Sequence, residues 1–168
     1  MHLLIDLQAQ RLYLFGDDGA CLRSYAVSTA CNGAGELNGS GCTPRGRHRV
    51  RAMIGAGQPR GAVFRGRRPT GEVWTPALAA AQPTRDWILS RIVWLSGCEP
   101  GFNRLGRVDT MARYIYIHGT GDDQPMGVPL SHGCVRMRND DVIELFALLQ
   151  PGCRVEIVEG LGGSEASG

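Results

Sequence analysis

The segment 114–137 constrains the fold of this chain most strongly, because it joins a strand pattern to a loop that concentrates reactive side chains. Tyr114, Tyr116 and His118 alternate with isoleucines, which is the period-two pattern of a half-buried strand, and Gly119 ends it. A loop rich in Gly, Asp and Pro follows, with a second histidine, a cysteine and an arginine. Reactive groups on a loop between two rigid elements indicate a functional site.

Cys134 is the candidate nucleophile of this loop. A thiol with the reference pKa of about 8.5 is mostly protonated at neutral pH, so it needs a base or a nearby positive charge. His132 is predicted to take the proton if the turn at Gly133 brings the side chains together, and Arg136 adds a positive charge. Backbone amides around Gly133 and Cys134 are predicted to form an oxyanion hole. Taken alone, these residues leave open a buried structural cysteine near surface histidines.

Two short motifs lie in this segment: the pair His118-Gly119 and the block Ser131-His132-Gly133-Cys134-Val135-Arg136, with fourteen positions between the two histidines. Together they resemble the active-site motif of YkuD-type L,D-transpeptidases. These are bacterial cysteine enzymes that act on peptidoglycan stem peptides. The turn Thr43-Pro44-Arg45-Gly46 is similar to an upstream Thr-Pro-x-Gly turn of the same family. The resemblance extends over roughly residues 3–159.

The resemblance implies a role for each residue of the motif. Cys134 would be acylated, His132 would act as its base, and the carbonyl of Gly133 would orient that histidine. A second set of residues is predicted to contact substrate or the oxyanion: Tyr116, His118, Gly119, Ser131 and Arg136. Carbapenems are expected to acylate the thiolate. No cofactor is expected, and the lack of CxxC and HxxxH spacings argues against a metal site.

At 168 residues the chain can form one domain that buries about two thirds of its unfolded surface. We predict a single catalytic domain at 1–160 and a disordered tail at 161–168.

The formal charge of +2 does not argue for nucleic acid or a membrane as partner. Eight arginines and no acidic residue lie in segment 43–68, which predicts a positive face suited to an acidic substrate. No RNA-binding motif accompanies them.

Apolar alternation predicts a mainly β fold, and the resemblance implies a β-sandwich of mixed sheets with one helix after the catalytic loop. That helix is predicted to start near Asn139 as its capping residue, with acidic residues in the first turn. Segment 55–85 carries four prolines and no regular apolar pattern, so no element is predicted there. The predicted strands are 2–7, 11–15, 21–28, 47–54, 87–95, 114–118 and 153–158.

The chain opens with MHLLID, which has no basic n-region and an apolar run broken at Asp6, so no secretory signal and no transmembrane span are predicted. If Met1 is the native start, the expected compartment is the cytoplasm, where the six cysteines would be free thiols.

The resemblance implies attack on the carbonyl at the L-configured centre of diaminopimelate, with loss of the terminal D-alanine. In the cytoplasm the substrate would be a soluble muropeptide and water the acceptor, which predicts an L,D-carboxypeptidase of wall recycling. Three alternatives remain: an L,D-transpeptidase that forms cross-links, a non-catalytic peptidoglycan-binding module, and a thiol redox sensor.

Overall fold

The computed structural model describes residues 1–161 and confirms the mainly β class. Residues 162–168 of the predicted tail lie outside the described part. The strands are β1 (His2–Asp6), β2 (Arg11–Phe15), β3 (Cys21–Ser28), β4 (Gly46–Ile54), β5 (Ala62–Arg65), β6 (Arg68–Val73), β7 (Leu89–Gly97), β8 (Tyr116–Gly119), β9 (Val135–Met137) and β10 (Arg154–Val158). The helices are α1 (Pro76–Ala81) and α2 (Asn139–Leu148), with a 3-10 turn at Gly106–Val108.

Hydrogen bonding runs through all ten strands in the order β4-β10-β1-β2-β3-β9-β8-β7-β5-β6. The pairs β1–β10 and β8–β9 are parallel and the others antiparallel, so the sheet is mixed as predicted. Because β4 pairs with both β10 and β7, eight strands close into a ring and the sheet packs against itself. The main core lies inside this ring, where Val142 and Leu145 of α2 join the buried strand residues.

Segment 55–85, which showed no readable pattern, forms the β5–β6 hairpin and α1. Thr75 caps α1, because its side-chain oxygen accepts a hydrogen bond from Leu78 N at 3.0 Å, and Pro76 occupies the first turn, where its missing N–H costs nothing. The helix has only six residues, too few to display an apolar period. Within residues 1–161, no helix is long and apolar enough to cross a membrane.

The predicted strand 87–95 lies at Leu89–Gly97, and two boundaries next to the candidate loop were also wrong. The strand predicted from Tyr114 begins at Tyr116, because Tyr114 has a φ of 57° in the left-handed region, and all four residues of β8 are buried rather than half-buried. The N-cap of α2 is Arg138. Asn139, predicted as the cap, is buried, and its side chain donates to Thr120 O at 2.8 Å and accepts from Ser90 Oγ at 2.6 Å.

Candidate active site

The neighbouring strands β8 and β9 place the candidate site. They run parallel, with His118 beside Arg136 and Ile117 beside Val135. Ile117 and Val135 are fully buried in the main core, so the residues one position away on each strand point to the opposite face of the sheet. His118, Arg136 and Cys134, which directly precedes β9, therefore share one face.

The Cys134 side chain is half-buried on this face. Its Sγ accepts a hydrogen bond from Tyr116 N at 3.4 Å and donates to Tyr114 O at 3.4 Å. Burial raises the pKa of the Cys134 thiol to about 11, although the Tyr116 amide and the positive charges of Arg136 and Arg113 favour the thiolate. The resting group is therefore a protonated thiol at neutral pH, and its attack requires a base.

His118 lies buried beside Cys134, and its Nδ1 lies 2.6 Å from the carbonyl oxygen of Gly119. A carbonyl only accepts, so Nδ1 carries the proton. Burial lowers the pKa of His118, which keeps the ring neutral and leaves a lone pair on Nε2. In the described part of the chain no hydrogen bond engages Nε2 or joins the ring to the sulfur. A Cβ at position 119 would lie 2.4 Å from Asn139 Oδ1, so this strand end requires glycine.

His132 occupies a different position from the one predicted for a base. Its side chain is 79% exposed, and its Nδ1 lies 3.9 Å from Asp86 Oδ2. No hydrogen bond joins it to Cys134 Sγ among residues 1–161. The predicted contact between the Gly133 carbonyl and this histidine is not among the hydrogen bonds of residues 1–161, and that carbonyl accepts a hydrogen bond from Thr43 Oγ1 at 2.9 Å.

Internal hydrogen bonds hold the loop before Cys134. Thr43, the first residue of the Thr-Pro-x-Gly turn, is fully buried and also accepts a bond from Ala30 N at 3.0 Å. Ser131 Oγ donates to Cys134 O at 2.6 Å and accepts from Gly133 N at 3.2 Å. Ser131 and the Gly133 amide, which were predicted to contact substrate and the oxyanion, are thus engaged within the loop in this structure.

Arg136 is buried against a carboxylate that the sequence did not reveal. Its Nη2 donates to Asp86 Oδ1 at 3.0 Å, and its Nη1 donates to Leu130 O at 3.4 Å. The ion pair neutralises most of the charge predicted to act on the thiol. Asp86 lies at the end of the segment without a readable pattern, where no motif marks it as part of a site.

Arg67 is a second residue that the sequence did not reveal. It lies in the turn between β5 and β6, where its Nη1 donates to Tyr116 OH at 3.2 Å. In sequence it belongs to the arginine-rich segment 43–68, and nothing distinguishes it there from seven other arginines. Only the pairing of β5 with β7, which places the hairpin next to β8, brings it to the site.

Two cavities meet at the site. The first has a volume of about 350 Å³ and is lined by Cys134, His118, Tyr116 and Arg67 among others. The second, of about 820 Å³, extends along Trp74, Trp87 and the loop 120–124. The two share three lining residues, namely Asp86, His132 and Arg136. The described residues contain no group of three His, Cys, Asp or Glu side chains suited to a metal ion.

A mainly β fold with a half-buried cysteine beside a carbonyl-bound histidine defines the class of a candidate cysteine acyltransferase. The model of the YkuD family, the L,D-transpeptidase catalytic domain, matches residues 1–157. The chain therefore belongs to the L,D-transpeptidase family, as the motif predicted.

Curated relatives and solved structures agree with this membership. The chain is 26% identical over 158 residues to the probable L,D-transpeptidase YcfS of Escherichia coli, covering 93% of this chain and 43% of that protein. The L,D-transpeptidase structure from Xylanimonas cellulosilytica aligns with a TM-score of 0.51 and 22% identity over 93% of this chain and 59% of that one. The Enterococcus faecium L,D-transpeptidase C442S mutant aligns with a TM-score of 0.55 and 16% identity over 94% of this chain and 49% of that one.

The two structural likenesses support the fold alone. The chain spans about half the length of the relatives it matches, with 43% of the E. coli protein and 59% of the Xylanimonas chain covered.

Proposed function

We propose that this protein catalyses cysteine-dependent acyl transfer on peptidoglycan stem peptides, with Cys134 as nucleophile and His118 as general base. The observation that carries the proposal is the position of His118 on the strand next to the thiol, with Nδ1 held by Gly119 O and the Nε2 lone pair left over. His118 pairs with Arg136, two residues along the chain from Cys134, and both His118 and Cys134 line the same cavity, so the Nε2 lone pair is the proton acceptor available to the thiol there.

The proposed reaction starts from two neutral groups, because burial raises the pKa of Cys134 to about 11 and lowers that of His118. Sγ attacks the carbonyl carbon at the L-centre of diaminopimelate while its proton moves to His118 Nε2. The C–N bond then breaks, and the departing D-alanine amine takes that proton. A thioester on Cys134 remains.

The second half of the reaction decides between two functions. If water attacks the thioester, His118 takes its proton and returns it to Sγ as the C–S bond breaks, and the enzyme is an L,D-carboxypeptidase that releases a tripeptide. If the amine of a second stem peptide attacks, it is an L,D-transpeptidase. We favour hydrolysis in the cytoplasm during wall recycling, and the six free cysteines suit a protein kept in a reducing compartment.

The larger cavity favours the transpeptidase as the second candidate. Its volume of about 820 Å³ suits a second peptide, and it opens beside Asp86 and His132, which also line the cavity of the nucleophile. It is bordered by Asp123, whose carboxylate suits the ammonium group of an acceptor diaminopimelate, whereas the neighbouring Asp122 is paired with Arg60.

The test is to incubate the purified protein with a disaccharide tetrapeptide and to follow the products by mass. Tripeptide with free D-alanine supports the carboxypeptidase, and dimers as the main product support the transpeptidase instead. Cys134→Ala should give neither product while keeping the wild-type circular dichroism spectrum. Turnover by this folded variant would exclude Cys134 as the nucleophile, and a redox sensor or binding module would show no turnover in the wild type either.

Carbapenem labelling tests the nucleophile independently of the acceptor. A solved structure of LD transpeptidase LdtMt1 contains imipenem, and another is the Ldtfm-avibactam carbamoyl enzyme. We expect the intact mass of this protein to rise by one imipenem molecule in the wild type and to stay unchanged in Cys134→Ala. A mass gain in the variant would place the acylated residue elsewhere.

A further inference from the structure

The cavity around Cys134 contains one positive charge without a counter-ion. Three charged side chains line it, namely Arg67, Asp86 and Arg136. The ion pair at 3.0 Å between Arg136 and Asp86 largely cancels two of these charges. Arg67 has no carboxylate partner within residues 1–161. An anionic group that enters this cavity would therefore be attracted to Arg67.

Aromatic side chains hold the Arg67 guanidinium in place. Its Cζ lies 5.0 Å from the ring centroid of Trp94 and 4.9 Å from that of Tyr114, and Nη1 donates to Tyr116 OH at 3.2 Å. Stacking uses the faces of a guanidinium and leaves its edges available for hydrogen bonds. Since the one hydrogen bond of Arg67 in the described structure uses Nη1, Nη2 and Nε remain as donors for a carboxylate.

The backbone at this turn is strained. Arg65 pairs with Arg68, so the loop contains only Gly66 and Arg67, and both have positive φ values, of 55° and 65°. Such two-residue turns favour Asn, Asp or Gly at both positions, and arginine in the left-handed region costs free energy. Tyr114, which stacks on Arg67, also has a positive φ, of 57°. Strain of this kind is concentrated at functional sites.

We propose that Arg67 is the specificity residue that binds a substrate carboxylate next to the bond cleaved at Cys134. This inference rests on the proposed function, and it names the group recognised. The backbone of Tyr114 and Tyr116 contacts Cys134 Sγ, while the Tyr114 ring and the Tyr116 hydroxyl contact Arg67. The guanidinium and the nucleophile therefore line one cavity, joined through the same two tyrosines. The donor stem has two carboxylates near the scissile carbonyl: the terminal carboxylate of D-alanine and the free carboxylate at the end of the diaminopimelate side chain.

The experiment compares three tetrapeptide substrates, one unmodified, one with the D-alanine carboxylate as an amide, and one with the free diaminopimelate carboxylate as an amide. For the wild type, kcat/KM should fall about 10- to 100-fold on one of the two amides, the range for a hydrogen bond to a charged group. The sensitive amide identifies which carboxylate Arg67 binds.

Arg67→Asn should remove this discrimination, because it deletes the guanidinium while asparagine tolerates a positive φ. It should lower kcat/KM only on substrates that retain the recognised carboxylate. Arg67→Lys should restore only part of the preference, since an ammonium group lacks the planar fork. Arg68→Asn is the matched control, because Arg68 is exposed on the same hairpin outside the cavity, and it should retain the wild-type ratios. Thermal melts of all variants report on folding.

The outcomes separate this inference from the function on which it rests. If the wild type turns over none of the three substrates, the proposed function fails and the inference fails with it. If the wild type turns over all three at equal rates, or if folded Arg67→Asn keeps the full preference, the function stands and only the role of Arg67 is overturned. A purely structural role for Arg67 would lower kcat/KM equally on all three substrates, which also overturns the inference.

Discussion

The protein buries two imidazoles, His48 on β4 and His118 on β8, each 1% exposed. In both, Nδ1 donates to a backbone carbonyl, from His48 to Gly46 O at 3.0 Å and from His118 to Gly119 O at 2.6 Å. In both, burial lowers the pKa, that of His48 to about 4. Tautomer, burial and charge state are therefore the same.

The two rings differ at Nε2. That of His48 lies 3.0 Å from Thr110 Oγ1, and since Nδ1 holds the proton, the lone pair accepts a bond from the hydroxyl. The Nε2 lone pair of His118 has no such partner among residues 1–161 and lies at the cavity of Cys134. Burial alone makes a histidine structural, and one unused lone pair beside a thiol makes it a candidate base.

The largest expected difference between the two rings is in activity. His118→Gln should lower kcat/KM about 10²- to 10⁴-fold, the range for loss of a positioned base, while His48→Gln should leave the activity of the folded protein close to wild type. Because the pKa of His118 is lowered, the acid limb of the wild-type kcat/KM profile should fall below pH 6.5. Rates are measured at 25 °C on the disaccharide tetrapeptide. Equal losses in the two variants would contradict the distinction.

The next effect is on stability in acid. The unfolded chain binds a proton at His48 near pH 6.5, whereas the folded protein resists it until about pH 4. The unfolded state therefore holds more protons in this interval, and the free energy of unfolding falls as the pH falls from 6.5 to 4, by about 3 kcal/mol. Burial of His118 acts in the same direction.

Urea unfolding at a series of pH values measures this loss. In His48→Gln the curve should be flatter between pH 6.5 and pH 4, because the titrating ring is gone, while His118→Gln should retain the contribution of His48. Parallel curves for the wild type and His48→Gln would show that His48 is not the group responsible.

A smaller effect is expected from Thr110→Val, which frees the lone pair of His48 and makes this ring resemble His118 at that atom. The buried acceptor would lose its hydrogen bond, which costs about 1–3 kcal/mol of the free energy of unfolding at pH 7. Activity should not change, since His48 does not line the cavity of Cys134. Thr120→Val makes the same substitution at another buried threonine and serves as the control for the loss of a buried hydroxyl. An unchanged midpoint of urea unfolding in Thr110→Val would argue against the bond.

Much of the fold was predictable because the strands alternate regularly. β3 spans the predicted residues 21–28, and β4 begins only one residue before its predicted start. The exceptions have local causes. A strained φ at Tyr114 delays β8, and the buried amide network of Asn139 takes that side chain away from the cap position. Neither the φ of Tyr114 nor the hydrogen bonds of Asn139 can be predicted from the apolar pattern of the sequence.

The candidate site was predictable only where its residues are adjacent in sequence. The motif indicated Cys134, His132 and His118, and the resemblance predicts the nearer histidine in sequence, His132, as the base, whereas we propose His118. Parallel pairing of β8 with β9 brings the distant His118 to the face of Cys134, and distance along the chain contains no information on such pairing. Asp86 and Arg67 reach the site through tertiary contacts of segments that showed no pattern at all.

The smallest expected effect is that of His132→Gln. The His132 side chain is 79% exposed at the border of the two cavities, and its Nδ1 lies 3.9 Å from Asp86 Oδ2. As a residue that only borders the substrate path, it should change kcat/KM less than about 10-fold, and it should do so through KM, because it contacts no reacting atom. The same assay used for His118→Gln measures this. A loss of about 10²-fold or more in kcat for His132→Gln, with His118→Gln close to wild type, would return the role of base to His132. That result would also require the exposed ring to turn from Asp86 towards Cys134 when substrate binds.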